Sequence, residues 1–252
     1  MEPLPGRLFA LFDRAGYAAY PNDTSLRFVR ESEVVSTAEI AAPNDTITYA
    51  NFLRSEVFYL HRPPLDGTNY VITGSDTYHL EEDGFGDFAW DIVVTDDVGV
   101  HYRGNGTANE DFRVWGQTVK SMTNGVVIDV VRDSIDNVPG SHPPTDVAVN
   151  NWVGVSLGGS YYVYYLHFQN DGIDPGIEVG TPVRIGDPLG VVGNTGVSLE
   201  PHVHVVLLWY DVGAQRSYSV PIEFNTVESA DSPTGPFVQQ EWFTPTAGTW
   251  IR

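Results

Sequence analysis

Short runs of β-branched and aromatic residues, separated by turn-forming residues, follow one another along most of this 252-residue chain. No segment keeps an apolar period of 3.6 residues over three turns, which is the pattern of an amphipathic helix. Glycine, proline, asparagine and aspartate stand between the runs, as they do between short strands. The runs predicted to be strands are 69–73, 88–95, 125–132, 152–157, 161–168, 183–185, 189–192, 202–209 and 217–224. The pattern predicts an all-β protein with an antiparallel, sandwich- or barrel-like core and long loops.

A proline-rich turn, Pro63-Pro64-Leu65-Asp66-Gly67, is the best candidate for a domain boundary. Residues 1–62 before it are interpreted as a β-rich N-terminal extension, with strand-like runs at 25–29, 46–49 and 56–60. Residues 63–225 are predicted to form the main domain. Residues 226–252 are predicted to be a loop-rich tail whose aromatic residues, among them Trp242 and Trp250, pack back on that domain.

The chain is strongly acidic, with a net charge of −20 and only one lysine, Lys120. A protein that binds nucleic acid neutralises phosphates with lysine and arginine, so a nucleic-acid partner is excluded as a class. Anionic membrane surfaces would repel the chain for the same reason. Calcium binding by the aspartate-rich loops stays an alternative, although no Asp-x-Asp-x-Asp-Gly loop is present.

The chain has no cysteine. Thiolate metal sites and disulfides are therefore excluded, and any metal must be held by histidine and carboxylate groups. No stretch of 18 apolar residues occurs, so no membrane span is predicted. Residues 1–20 carry Arg7, Asp13 and Arg14 within their short apolar stretch and do not read as a signal peptide.

Two histidines two residues apart stand in the segment Pro201-His202-Val203-His204, which leads into an apolar run. On a strand, residues i and i+2 point to the same face. Such a pair can share one metal ion, or divide into a metal ligand and a group that transfers protons.

Several other features precede this pair. Asp91 lies at the start of an apolar strand, where a carboxylate needs a partner. His167 lies inside the aromatic run 164–168, of whose two tyrosines one is expected in the core and one at a groove. Residues 119–127 read as two short strands about a tight turn. The segment 179–196 contains closely spaced glycines and ends in Gly193-Asn194-Thr195-Gly196, just before the histidine pair.

In this order the features resemble the lysostaphin/LytM-type zinc endopeptidases, also called the β-lytic metallopeptidase family, which has the duplicated hybrid motif fold. The resemblance spans about residues 66–210 and rests on His…Asp, G-x-V, Y-x-H, the glycine series and P-H-x-H. The motifs in the second half of this segment are more specific for the family than those in the first half. In the best-known members the first histidine precedes the aspartate by four residues, whereas His79 precedes Asp91 by twelve.

The resemblance implies that His79, Asp91 and His204 bind zinc and that His167 and His202 flank the metal as catalytic groups. His61 and His101 are alternatives to His79, although both, like His142, read as surface residues. Two histidines and one carboxylate are a ligand set that catalytic zinc uses, with the fourth position left to water. Proton transfer to the leaving amine, or stabilisation of the oxyanion, would then fall to His167 and His202.

The function that the resemblance implies is a bacterial zinc metalloendopeptidase that cuts cross-links or stem peptides of peptidoglycan. Such an enzyme would be secreted, periplasmic or otherwise associated with the cell envelope. Two alternatives stay open: a non-catalytic LytM-type module that binds the cell wall or regulates a partner, and a peptidase that acts on glycine-rich proteins. The oligomeric state does not follow from the sequence.

Overall fold

A computed structural model describes residues 8–11, 27–30, 59–74, 88–145, 147–158, 160–211, 216–219 and 222–252. In these ranges the regular structure is almost entirely strand, apart from a short 3-10 turn at Asn109–Asp111. The strands are β1 (Leu8–Leu11), β2 (Arg27–Arg30), β3 (Tyr59–Leu60), β4 (Asn69–Thr73), β5 (Trp90–Val93), β6 (Thr118–Lys120), β7 (Gly125–Val131), β8 (Trp152–Gly158), β9 (Tyr161–Leu166), β10 (Phe168–Ile173), β11 (Pro182–Val183), β12 (Pro188–Val192), β13 (Val203–Asp211), β14 (Arg216–Ser219), β15 (Glu223–Ala230), β16 (Val238–Phe243) and β17 (Trp250–Ile251). None of the same ranges contains a helix with the length and apolarity to cross a membrane.

The largest sheet has twelve strands, ten of them in the order β11-β7-β8-β9-β13-β5-β4-β17-β15-β16. Strand β14 pairs with β13, and β3 pairs with β15 in the only parallel pairing among the described strands. A second sheet has the order β10-β12-β6, and β1 pairs with β2. The prediction of an all-β, antiparallel protein is confirmed.

Side chains on successive residues of the central strands divide between two apolar clusters, as the pleat of a strand requires. One cluster is the main core, and its members from β8, β9 and β13 include Val153, Val155, Val163, Tyr165, Val205 and Leu207. The other cluster lies on the opposite face of the sheet and contains Ala89, Leu166, Val206 and Leu208. His204 alternates with the core residues of β13, so its side chain lies on the face of this second cluster.

The run 161–168, predicted as one strand, is two strands that meet at His167. The φ angle of His167 is 68°, in the left-handed region that non-glycine residues seldom occupy, and this angle breaks the extended chain. The two strands expected about the turn in 119–127 exist but do not pair with each other. Strand β6 pairs with β12 in one sheet, whereas β7 pairs with β8 and β11 in the other.

The C-terminal segment is richer in strands than its sequence suggests. The predicted strand 217–224 corresponds to β14 and the start of β15, with residues 220 and 221 between them lying outside the described ranges. Residues 226–252, predicted to be loop-rich, hold most of β15 together with β16 and β17, and β17 joins this group to β4. In the N-terminal extension, the run 25–29 overlaps β2 and the run 56–60 overlaps β3, whereas 46–49 lies outside the described residues.

Candidate active site

The register of the central strands places His204 beside a carboxylate. Strand β13 lies between β5 and β9, and in it His204 is directly opposite Asp91 on one side and Leu166 on the other. Side chains that face each other across strands have Cβ atoms about 5 Å apart. The His204 Nδ1 atom accordingly lies 2.9 Å from Asp91 Oδ1. Both residues are buried.

His202 approaches the same carboxylate from the loop before β13. Its Nε2 atom lies 3.2 Å from Asp91 Oδ1. Its Nδ1–H donates to the main-chain carbonyl of Glu200 at 2.8 Å, since a carbonyl oxygen can only accept. The carboxylate of Asp91 therefore contacts the rings of both histidines of the P-H-x-H motif.

His167 completes the cluster from the junction of β9 and β10. Its ring centroid lies 4.5 Å from that of His202 and 5.7 Å from that of His204. Its Nδ1–H donates to the main-chain carbonyl of Thr195 at 2.7 Å. The ring is 4% exposed, so it is almost fully withdrawn from solvent.

The surroundings displace the pKa values of two of these histidines in opposite directions. Burial, together with the neighbouring rings of His202 and His204, holds the pKa of His167 well below its ordinary value. Burial also lowers the pKa of His202, but the charge and hydrogen bond of Asp91 and the carbonyl of Glu200 outweigh it and leave that pKa above its ordinary value. In the metal-free protein burial thus favours the neutral ring of His167, whereas Asp91 favours the protonated ring of His202. Two neighbouring groups whose pKa values are displaced in opposite directions serve as the acid and the base in many active sites.

The donor atoms of the cluster suit zinc. His167, His202 and His204 each offer one ring nitrogen, and these nitrogens lie within 4.8 Å of one another. The oxygen of Asp91 is in contact with two of the same rings. A set of imidazole nitrogens and one carboxylate, without sulfur, is what catalytic zinc binds in proteins. Among the described residues, no second group of three or more potential metal ligands has its donor atoms this close together.

The structure thus brings together Asp91, His167, His202 and His204, four of the five residues singled out in the sequence. The fifth, His79, lies outside the described residues. Neither alternative to it joins the cluster: His61 is exposed, and the Nε2 atom of His101 lies 3.2 Å from Glu200 Oε1. His142 is half-buried, and its Nδ1 atom lies 2.6 Å from the main-chain carbonyl of Pro143 rather than in the cluster.

The two tyrosines of the 164–168 run divide between the two faces of the sheet. Tyr165 is fully buried in the core, where its hydroxyl accepts a hydrogen bond from the Met122 amide at 2.8 Å. Tyr164 is half-buried beside Leu166 and Val206, on the face that carries His204. Burial raises the pKa of each hydroxyl to about 12, so neither tyrosine is a proton acceptor at neutral pH.

Two residues that support the site, Asn151 and Thr195, were not anticipated from the sequence. Both are completely buried next to His167. An asparagine before an apolar strand reads as a turn residue, and a threonine within a glycine series reads as part of a turn. Only the threonine carried a signal, because it belongs to the Gly193-Asn194-Thr195-Gly196 segment that precedes the histidine pair.

Comparison with known proteins relates the segment that carries three of the four cluster residues to one family. The sequence profile of peptidase family M23 matches residues 108–215, a segment that contains His167, His202 and His204. None of the curated proteins matches the chain.

Among solved structures, the chain is similar to a zinc-containing peptidase from Vibrio cholerae (18% identity, 64% of this chain and 39% of that chain, TM-score 0.39). It is also similar to a putative glycyl-glycine endopeptidase LytM from Ruminococcus gnavus (21% identity, 69% and 62%, TM-score 0.41). A third is the catalytic domain of the antimicrobial peptidase lysostaphin from Staphylococcus simulans (18% identity, 61% and 87%, TM-score 0.34). The chain spans less than two thirds of the length of the first two proteins. Over residues 108–215, which include His167, His202 and His204, the chain is similar to peptidase family M23, the LytM-type family.

Proposed function

We propose that this protein is a zinc endopeptidase whose site is built on Asp91, His167, His202 and His204. The observation that carries the proposal is the convergence of three buried imidazoles and one carboxylate in a chain whose residues 108–215 match a peptidase family. We assign zinc binding to Asp91 and His204, with His79 as the third ligand. When bound, zinc would supply a Lewis acid for the scissile carbonyl and an activated water for its hydrolysis.

His167 is proposed to act through the ring nitrogen opposite its main-chain contact. Because Nδ1 carries the proton given to the Thr195 carbonyl, the Nε2 atom of the neutral ring carries the lone pair. A neutral imidazole with a fixed tautomer can accept a proton or orient the attacking water. The lowered pKa of His167 keeps the ring in this form at neutral pH.

His202 is proposed to be the proton donor. Its two ring nitrogens both face acceptors, the carbonyl of Glu200 and the carboxylate of Asp91, and only a protonated ring donates to both. Such a ring can give its Nε2 proton to the amine that leaves when a peptide bond breaks, or stabilise the oxyanion before it leaves.

The substrate that we propose is a cross-link or stem peptide of peptidoglycan, which places the protein outside the cytoplasm. The family carries this assignment, and the charge of the chain agrees with it, since a net charge of −20 attracts peptides with free ammonium groups. We further propose that residues 63–225 form the peptidase domain, between the N-terminal extension 1–62 and the tail 226–252.

The test is cleavage and zinc content of the purified protein and of His204→Ala, with His142→Ala as the matched control because that histidine contacts the Pro143 carbonyl and not the cluster. We expect about one zinc per chain and release of new amino groups from purified cell-wall sacculi, both lost in His204→Ala alone. Zinc binding without cleavage of any wall substrate would support a non-catalytic wall module instead. Cleavage of glycine-rich peptides but not of sacculi would point to a protein substrate.

A further inference from the structure

His167 is held in a backbone conformation that its own side chain disfavours. Its φ of 68° lies in the left-handed region, and such residues persist only where the surrounding contacts enforce them. Any group that enforces this angle also determines where the imidazole points. The contacts of the two residues that follow His167 show which groups these are.

Asn151 binds the main chain on the C-terminal side of His167. Its Nδ2 atom donates to the carbonyls of Phe168 and Gln169, at 3.3 and 3.1 Å. The main-chain carbonyl of Asn151 accepts a hydrogen bond from the amide of Phe168 at 3.3 Å. The side chain is also bonded on both sides to Ser134, which fixes its orientation: Nδ2 donates to the Ser134 carbonyl and Oδ1 accepts the Ser134 amide, both at 2.9 Å.

Thr195 links this asparagine to the imidazole itself. Its Oγ1 accepts the Asn151 amide at 3.0 Å and donates to the Phe168 carbonyl at 3.0 Å. Its main-chain carbonyl accepts the Nδ1–H of His167 at 2.7 Å. One residue therefore fixes both the backbone after His167 and the ring of His167.

We propose that Asn151 and Thr195 are positioning residues that hold His167 in the Nδ1–H tautomer, with Nε2 directed at the reacting groups. The kinetic part of this inference rests on the proposed peptidase function, whereas the tautomer is a property of the metal-free protein. Thr195→Val removes the hydroxyl at nearly constant volume and leaves the amide of Asn151 without its acceptor. Thr195→Ser keeps the hydroxyl and is the conservative rescue.

The first readout is the tautomer. In metal-free protein with 15N-labelled histidine, two-bond 1H–15N correlation spectra distinguish the protonated from the unprotonated ring nitrogen. We expect one tautomer for His167 in the wild type and in Thr195→Ser, and exchange between both tautomers in Thr195→Val. A single Nδ1–H tautomer in a folded Thr195→Val protein would overturn the proposal.

The second readout is the split between kcat and KM on a peptide substrate. Because misplacement of a catalytic group by about 1 Å can cost on the order of 100-fold in rate, we expect kcat to fall about 10- to 100-fold in Thr195→Val with KM nearly unchanged. Thr195→Ser should recover most of the rate. Thr123→Val is the matched control, because Thr123 is also buried and its hydroxyl donates to a main-chain carbonyl elsewhere in the fold. Equal kcat losses in Thr195→Val and Thr123→Val would contradict a positioning role.

The two readouts separate the failure of this inference from failure of the proposed function. A wild type that shows the single tautomer but cleaves no peptide retains the positioning role and loses the peptidase assignment. An active wild type whose His167 tautomer is unaffected by Thr195→Val loses the positioning role alone. If Thr195→Val does not fold, Thr195→Ala introduces no extra bulk and must show the same exchange of tautomers.

Discussion

At the scale of single residues, Asp91 is the group on which the cluster depends. It contacts His202 and His204 through one oxygen atom, Oδ1, and it is buried. A buried carboxylate is tolerated only when it is paired or bound to a metal, and both conditions are available here. The charge of Asp91 also opposes the effect of burial on the pKa of His202.

Asp91→Asn should therefore weaken zinc binding more than it weakens the fold. The amide keeps the size of the side chain but loses the charge, so we expect zinc affinity to fall by at least about 100-fold, given that loss of even an outer-shell partner costs 10- to 100-fold. Isothermal titration calorimetry with zinc measures this effect. Asp129→Asn, a half-buried aspartate on β7, is the control and should leave zinc affinity unchanged. Similar affinity in wild type and Asp91→Asn would remove Asp91 from the ligand set.

The His202–Asp91 contact predicts a pH dependence of stability in the metal-free protein. Burial lowers the pKa of His202, but Asp91 and Glu200 leave it raised. A histidine whose pKa is higher in the folded than in the unfolded state contributes stability that is complete below about pH 6.5 and is lost as the pH rises through the folded pKa. The difference in unfolding free energy between wild type and His202→Asn should therefore shrink as the pH rises from about 6.5 into the alkaline range. Urea unfolding in the presence of a chelator measures it, and a constant difference over this range would contradict the account.

At the scale of elements, the sequence predicted the strands well where the residues of the strand itself show an alternating apolar pattern. Strand β4 has the predicted bounds, and the cores of β7, β8, β12 and β13 fall where alternating apolar residues place them. The break at His167 was not predictable, because tertiary hydrogen bonds from Asn151 and Thr195 impose its φ angle on a run that is locally typical of a strand. For the same reason the partners of β6 and β7 could not be foreseen from the turn between them.

Only part of the candidate site could be predicted, because some of its contacts join residues that are far apart along the chain. The histidine pair at 202 and 204 and the position of Asp91 are visible in the sequence, and the strand register then brings them together. The tautomer of His167 depends on a carbonyl 28 residues away along the chain, and no local pattern encodes that contact.

The close approach of the 193–195 segment to the chain after His167 predicts a specific role for Gly193. Its amide donates to the His167 carbonyl at 2.9 Å, and an added Cβ would lie 2.3 Å from the amide nitrogen of Gln169. Gly193→Ala must push these segments apart, so we expect a loss of about 1–3 kcal/mol in unfolding free energy, the range typical of overpacking. In Gly176→Ala the nearest atom is a side-chain oxygen at 3.2 Å, which can move, and this control should lose much less. Equal losses of unfolding free energy in the two variants, measured by chemical denaturation, would show that the segment at Gly193 is not tightly packed against the chain after His167.

At the scale of the whole molecule, Asp91 and His204 lie on one sheet that also continues through β4, β17, β15 and β16, while His167 directly follows β9 of that sheet and His202 directly precedes β13. Because Asp91 lies on β5 and His204 on the adjacent β13, a metal bound by both would join the family-matched segment 108–215 to the strands before it. Ligands that bind only the folded state stabilise it by mass action.

Zinc should therefore raise the thermal stability of the protein, and acid should reverse the effect because protonated histidine does not bind metal. We expect Tm to rise with zinc at neutral pH in the wild type, to rise less in His204→Ala, and not to change with zinc at about pH 4, well below the ordinary histidine pKa. Differential scanning calorimetry in zinc and in chelator measures these shifts. A zinc-dependent rise in Tm that is equal in His204→Ala would show that zinc binds elsewhere.

The most direct test of the central claim is mass spectrometry of purified sacculi incubated with zinc-loaded protein. The account predicts soluble fragments in which one peptide bond has gained the elements of water, leaving a new amine and a new carboxylate, and none of these fragments with His204→Ala. Intact sacculi after incubation with folded wild-type protein that holds about one zinc per chain would contradict the proposal that this protein cuts peptidoglycan.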